Sequence, residues 1–310
     1  MSDERTPPFA LLVAGIVLLQ VVASLCYPVA RYGLQYIEPF TFAFYRFCFS
    51  SIALLIATRF TRRQPPIERR DWPRIFLMGV TIVPFNQTLF LIGQSLTGAS
   101  HGAFLFATTP VWIFLLALVI LKEPFQWRRA GGFALAMAGV ITIMLSGGLQ
   151  VSTEYLLGDL IILVAVIAWA VYTVLGKPLV RKYGAIRLTA YAISIGSLLY
   201  FPFGLHVAWH YDYSRATLAA WGSVVYMSLV MSIFVYVLWY VILKYMQASR
   251  LAVWHNIQPV IASTVAFVWL HEPITLPFIV GGTLVMVGVI VSEVRGRKKP
   301  GIESAPTPGQ

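Results

Sequence analysis

Apolar residues fall in ten runs, near residues 9–30, 39–58, 74–93, 99–121, 128–146, 156–176, 186–208, 217–243, 250–270 and 275–294. Each is close to the ~20 residues that an α-helix needs to cross a hydrocarbon core. The polar connections between them are short, and that leaves no room for a soluble domain. The pattern predicts an all-α integral membrane protein of ten transmembrane helices. The first run is too long for a signal-peptide core and has no convincing small-residue cleavage site after it, so it reads as a retained first helix. Residues 1–8 read as a short tail. Residues 295–310 are polar, with three prolines and two glycines after a basic cluster, and read as disordered.

The runs fall into two sets of five. A single offset of 149 positions pairs Ala99-Ser100 with Ala248-Ser249, Pro110 with Pro259, Glu123-Pro124 with Glu272-Pro273, Gly132 with Gly281 and Gly139 with Gly288, without a gap. The chain is thus a duplicated unit, with repeats at 9–146 and 156–294 and a boundary at 147–155. Duplicated apolar units are typical of transporters that bind substrate between their halves.

Composition supports this reading: 58% of the 310 residues are hydrophobic and 11% are charged, against about 25% charged in soluble domains. The net charge of +11 is explained by where the cations sit. With the N-terminus placed inside, 20 of the 23 Lys and Arg fall on cytoplasmic segments. Only Arg31 and Arg215 fall outside, and Arg46 lies within a span. This bias predicts cytoplasmic N- and C-termini. The cations are orienting and headgroup residues rather than a nucleic-acid footprint. Five spans per repeat is an odd number, so the second repeat enters the membrane from the opposite side. The repeats are inverted, with the Lys122-Glu123-Pro124 turn inside and His271-Glu272-Pro273 outside. Cys26 and Cys48 lie in apolar runs and read as free thiols.

The duplicated Pro…Glu-Pro…Gly…Gly-Val-Ile pattern resembles the EamA-type domain of the drug/metabolite transporter superfamily. The likeness covers about residues 9–294 in two copies and is strongest over 84–143 and 233–292. It implies a ten-helix inverted-repeat transporter of the plasma membrane, usually bacterial. Relatives export amino acids, other metabolites or toxic compounds, often driven by a proton gradient. The basic residue ending one helix, Lys244, is matched by Ser95 in the first copy, so that feature occurs in one half only.

Polar residues within spans are functional candidates because desolvating them is costly. Arg46 is the only charge well inside a span, and reads as a substrate-carboxylate anchor, a gate or a structural cation. Pro84 frees a helix carbonyl, and Asn86 beside it serves either a substrate or that distorted backbone. Span nine holds the densest polar cluster, Trp254-His255-Asn256-Ile257-Gln258-Pro259. There His255 and Gln258 share a face, and the imidazole titrates near physiological pH. Helix–helix hydrogen bonding is the competing reading. Trp169 and Tyr172 are three apart and form a candidate apolar wall. Tyr27 also lies near the start of its half, and Gln20 and Ser24 share one face of span one. Glu123 and Glu272 precede prolines at turns, where a carboxylate complements the N-terminus of the next helix. Gly131, Gly132, Ala136 and Gly139, repeated at Gly281, Gly282 and Gly288, allow close helix packing.

The expected function is secondary transport, an exporter of small metabolites working by alternating access, with proton coupling as one energy source. No Walker motif, His-Glu-x-x-His or Gly-x-Ser-x-Gly occurs. A membrane-embedded enzyme is therefore disfavoured, while a passive channel stays open. No cofactor or metal is expected. The partners are a small-molecule substrate and the lipid bilayer, with a monomer or homodimer as the working unit. The candidate substrate-binding set is Asn86, Trp169, Tyr172, His255 and Gln258, with Arg46 as gate or anchor.

Overall fold

The computed structural model describes residues 7–61, 65–97, 102, 105–146, 155–258, 260–261 and 276–293. The described residues are helical throughout, without strands. Six helices are long and apolar enough to cross a membrane: Phe9–Leu34, Pro39–Arg59, Arg69–Leu96, Leu156–Tyr183, Ala185–His210 and Leu218–Tyr245. Leu105–Ile120, Trp127–Ser146 and Leu276–Glu293 are further helices. Parts of the expected spans 99–121 and 250–270, the 147–155 boundary, the His271-Glu272-Pro273 turn and the 295–310 tail lie outside the described residues.

The burial pattern is that of a protein dissolved in lipid. Large apolar side chains such as Leu198, Val119 and Leu157 are exposed, while Gln20, Arg46, Asn86, Gln94 and Asn256 are fully buried. In a bilayer the polar groups must find partners inside, because the solvent offers none.

Two spans leave α-geometry at mid-length. Thr81–Thr88 and Met227–Val235 are wound as π-helix, and the 149-residue offset carries 78–86 onto the second of these. Pro84 explains the first, because its missing N–H breaks the α ladder. The second has no proline. In both, a hydroxyl accepts the role of the lost partner five residues on: Thr88 Oγ1 donates to Val83 O at 3.0 Å, and Ser232 Oγ to Met227 O at 3.1 Å. The wide turns are thus repaired from within their own segment.

The glycine stripes join the two repeats. A Cβ built on Gly132 would lie 2.7 Å from the carbonyl oxygen of Gly288, and one on Gly139 would collide with the Gly281 carbonyl and lie 2.8 Å from the Val285 nitrogen. Gly132 corresponds to Gly281 and Gly139 to Gly288, so each glycine meets the counterpart of the other. The homologous helices Trp127–Ser146 and Leu276–Glu293 therefore run antiparallel, related by a local pseudo-twofold. Ser51 and Ser197 join Pro39–Arg59 to Ala185–His210 by a 2.8 Å hydrogen bond. Gly184, with φ of 76°, makes the single-residue joint between Leu156–Tyr183 and Ala185–His210. It takes up a backbone angle that costs other residues roughly 1–2 kcal/mol.

Gly131 has open space around its would-be Cβ, which gives an internal control. Gly132→Val is expected to lower stability by about 1–3 kcal/mol through overpacking, with Gly131→Val near wild type. Thermal unfolding of the purified proteins in detergent checks this, and equal melting temperatures would contradict the assigned helix contact.

Candidate functional site

A cavity of about 50 Å³ lies between the repeats, room for a few water molecules. The first repeat lines it with Leu19, Ala23, Cys26, Gln87, Phe90 and Phe106, and the second with Trp169, Met227, Met231, Val235, Tyr236, Trp239, His255 and Gln258. None of these fourteen side chains is acidic.

Three of the five candidate binding residues line this cavity. Trp169 packs its ring 5.0 Å from Tyr236 and 5.7 Å from Trp239. His255 sets its ring edge-to-face on Trp239 at 4.8 Å. It sits where the helix that starts at Ala248 tightens to 3₁₀ geometry over Val253–Asn256. Gln258 Nε2 donates to Gln20 Oε1 at 2.7 Å, joining the ninth expected span to the first.

The other two stand behind the wall. Tyr172 lies 5.5 Å from Trp169 and 5.1 Å from Tyr240, whose hydroxyl donates to the Tyr172 carbonyl at 2.8 Å. Asn86 Nδ2 donates to Ala165 O at 2.6 Å, and Gln87 Nε2 donates to Asn86 Oδ1. Asn86 thus braces the π-helical segment against the Leu156–Tyr183 helix and presents Gln87 to the cavity. The sequence left Asn86 between a substrate and the distorted backbone and did not single out Gln87, which is the amide of the pair that lines the cavity.

Arg46 is fully buried. Its Nε donates to Met227 O at 3.2 Å and to Ser232 Oγ at 3.0 Å, so it supports the second π-helical segment. Cys26 and Tyr236, both cavity residues, are its electrostatic neighbours. Its Nε holds backbone, and the Tyr236 hydroxyl at the cavity wall is its neutral side-chain neighbour. The aromatic Met-rich face of Leu218–Tyr245, with Met227, Met231, Tyr236 and Trp239, was not singled out from the sequence. Its apolar residues look like any lipid-facing run.

Away from the cavity, cations close the ends of the third span of each repeat. Arg31 Nη1 donates to Gln94 O at 3.0 Å and Thr97 O at 2.9 Å. Lys177 Nζ donates to Leu243 O at 3.2 Å and to Met246 O. The offset of 149 takes 94 to 243 and 97 to 246, so the two caps are equivalent. A cation from another helix thus caps this span in both halves, while the basic residue in the span's own last turn, Lys244, occurs in the second half and not the first. Beside Lys177, Glu123 accepts from Ala248 N at 2.9 Å and from Ser249 Oγ at 2.5 Å, and Arg129 donates to Ser249 Oγ at 2.8 Å. Glu123 complements a helix N-terminus as expected, but that of Ala248–Ala252 in the other repeat rather than of the helix next in sequence. Lys122 aims it there: with φ of 53° it ends its helix, and Glu123 N returns to Ala117 O at 3.1 Å.

A bilayer-spanning helical bundle built from two repeats, with a cavity walled by both, defines a membrane transporter. Residues 10–145 and 156–293 each match the EamA-like transporter family, and the chain belongs to that family. It is 32% identical to a probable terminal-alkyne amino-acid exporter of Streptantibioticus cattleyicolor, over 96% of this chain and 97% of that one. It is 29% identical to an uncharacterized transporter of Archaeoglobus fulgidus, over 86% of this chain and 91% of that one. A protein of known crystal structure shares the fold with a TM-score of 0.71 at 16% identity, over 89% of this chain and 97% of that one. Family and relatives are transporters and not enzymes.

The different duties of neighbouring residues separate in two measurements. Asn86→Ala removes the bond to the Leu156–Tyr183 helix and leaves the Gln87 amide without its acceptor, and is expected to cost about 1–3 kcal/mol of stability. Gln87→Ala is expected to leave the melting temperature closer to wild type and to raise the KM for transport. Thermal unfolding and uptake into proteoliposomes check the pair, and a reversed assignment would contradict it.

Proposed function

We propose that this chain is a secondary transporter that exports small metabolites, amino acids and related or toxic compounds, across the bacterial plasma membrane by alternating access. The observation that carries this is the cavity: both repeats wall it, and it holds about 50 Å³. Sites for whole metabolites take about 300–1,000 Å³, so the walls have to part to admit one. The named relative, an exporter of an amino acid, supports the substrate class.

In this reading there are ten helices in repeats at 9–146 and 156–294, and both termini are cytoplasmic. The antiparallel glycine pairing, the two π-helical segments and the two cation caps support inversion of one repeat relative to the other. Arg31 then closes the outer face and Lys177, with Glu123 and Arg129, the inner face. Trp169, His255 and Gln258 contact the substrate, Asn86 and Tyr172 hold those contacts in place, and Arg46 is gate or anchor. Energy comes from an ion gradient or exchange. His255, the one imidazole at the cavity, is the group proposed to carry a coupled proton. The working unit is one chain or a homodimer.

Metabolite profiling of medium from overproducing cells tests the reading, against cells with an empty vector and cells making Trp169→Ala at equal level. A compound enriched outside at least threefold by the intact protein alone is expected. Well-expressed protein with no enriched compound would contradict export.

A further inference from the structure

We infer that the cavity requires a carboxylate on its ligand and has no requirement for an ammonium group, so that small organic acids with an apolar body bind it at least as well as the corresponding amino acids. This rests on the reading of the cavity as the transport site. Arg46 is a permanent cation in the hydrocarbon layer, and the side chains around it supply no counter-ion: none of the cavity residues is acidic. Its Nε is committed to Met227 O and Ser232 Oγ, which fixes the plane of the guanidinium, and the side chain it meets at the cavity wall is the neutral hydroxyl of Tyr236. A buried charge held this way is costly until an anion joins it, and a two-donor edge matches the two oxygens of a carboxylate.

Two unused donors at the cavity point the same way. Trp169 Nε1 and Trp239 Nε1 are buried without partners among the described residues, as is His255 Nδ1, a neutral ring nitrogen that can donate or accept. Indole nitrogens only donate, as guanidinium does. The acceptor Gln20 Oε1 is already taken by Gln258. A ligand ammonium would therefore find neutral groups and ring faces but no anion, and a ligand with net positive charge would meet Arg46 at short range.

Leucine, 4-methylpentanoate and 3-methylbutylamine share one apolar body and differ in charge. Titration calorimetry on the purified full-length protein in detergent measures each. The expected order is 4-methylpentanoate at least as tight as leucine, and the amine at least thirtyfold weaker than either. Arg46→Gln is expected to weaken the acid at least tenfold. If that variant fails to fold, Tyr236→Phe is expected to weaken it two- to fivefold by removing one donor. Leucine binding tenfold tighter than 4-methylpentanoate would overturn the inference while leaving a carboxylate-binding transport site. Equal binding of the amine, or no binding of any of the three, would overturn both.

Discussion

In a lipid bilayer a broken backbone hydrogen bond has no water to fall back on, and this constraint organises the whole molecule. Several places where a helix is widened, ended or restarted carry a side chain that repairs them. Ser232 and Arg46 attend Met227 O, Thr88 attends Val83 O, Arg31 and Lys177 attend the last carbonyls of equivalent helices, and Glu123 attends the first N–H groups of the helix at Ala248. In the proposed alternating-access cycle these repaired breaks are the positions at which the bundle changes shape. A continuous α-helix has no comparable place to flex without exposing polar groups.

The repairs are of two kinds. Those in the π-helical segments are short and internal, and they hold the walls of the cavity. Those at the helix ends reach across elements, and on one face they tie the repeats together through Glu123, Arg129 and Ser249. A cross-repeat contact made of charges and hydroxyls exchanges readily with water once it lies at a membrane face. The glycine-mediated contact of Trp127–Ser146 with Leu276–Glu293 does not, because it is backbone against backbone. The structure thus separates a fixed seam from contacts that can be released.

Much of the architecture was legible in the residues. The apolar runs gave the helices to within a few positions, since nothing but a bilayer accommodates Leu156–Tyr183 or Leu218–Tyr245. The offset of 149 gave the repeat. Pro84 marked one π-helical segment by its missing donor. Its counterpart at Met227–Val235 left no such mark, because Met-Ser-Leu-Val-Met-Ser favours an ordinary helix and the distortion depends on Arg46 and Ser232 meeting there. The caps were hidden for a similar reason. Arg31 and Lys177 are distant in sequence from the carbonyls they reach, so the comparison of Lys244 with Ser95 shows an asymmetry at the helix end and not the caps that both halves share. At the cavity, the polar letters of span nine drew attention to His255 and Gln258, while Met231 and Trp239 looked like lipid-facing residues. Which side of a helix faces a cavity is decided by neighbours that the sequence does not name.

The central claim is that equivalent caps close opposite faces of one cavity, and Cys26 at the cavity wall reports on it directly. In a Cys48→Ser background, the rate of Cys26 modification by a membrane-impermeant thiol reagent is measured in inside-out and in right-side-out vesicles. Lys177→Met is predicted to raise the rate severalfold from the cytoplasmic side, and Arg31→Met from the outer side. Acceleration from the same side by both substitutions, or from neither side by either, would contradict the account.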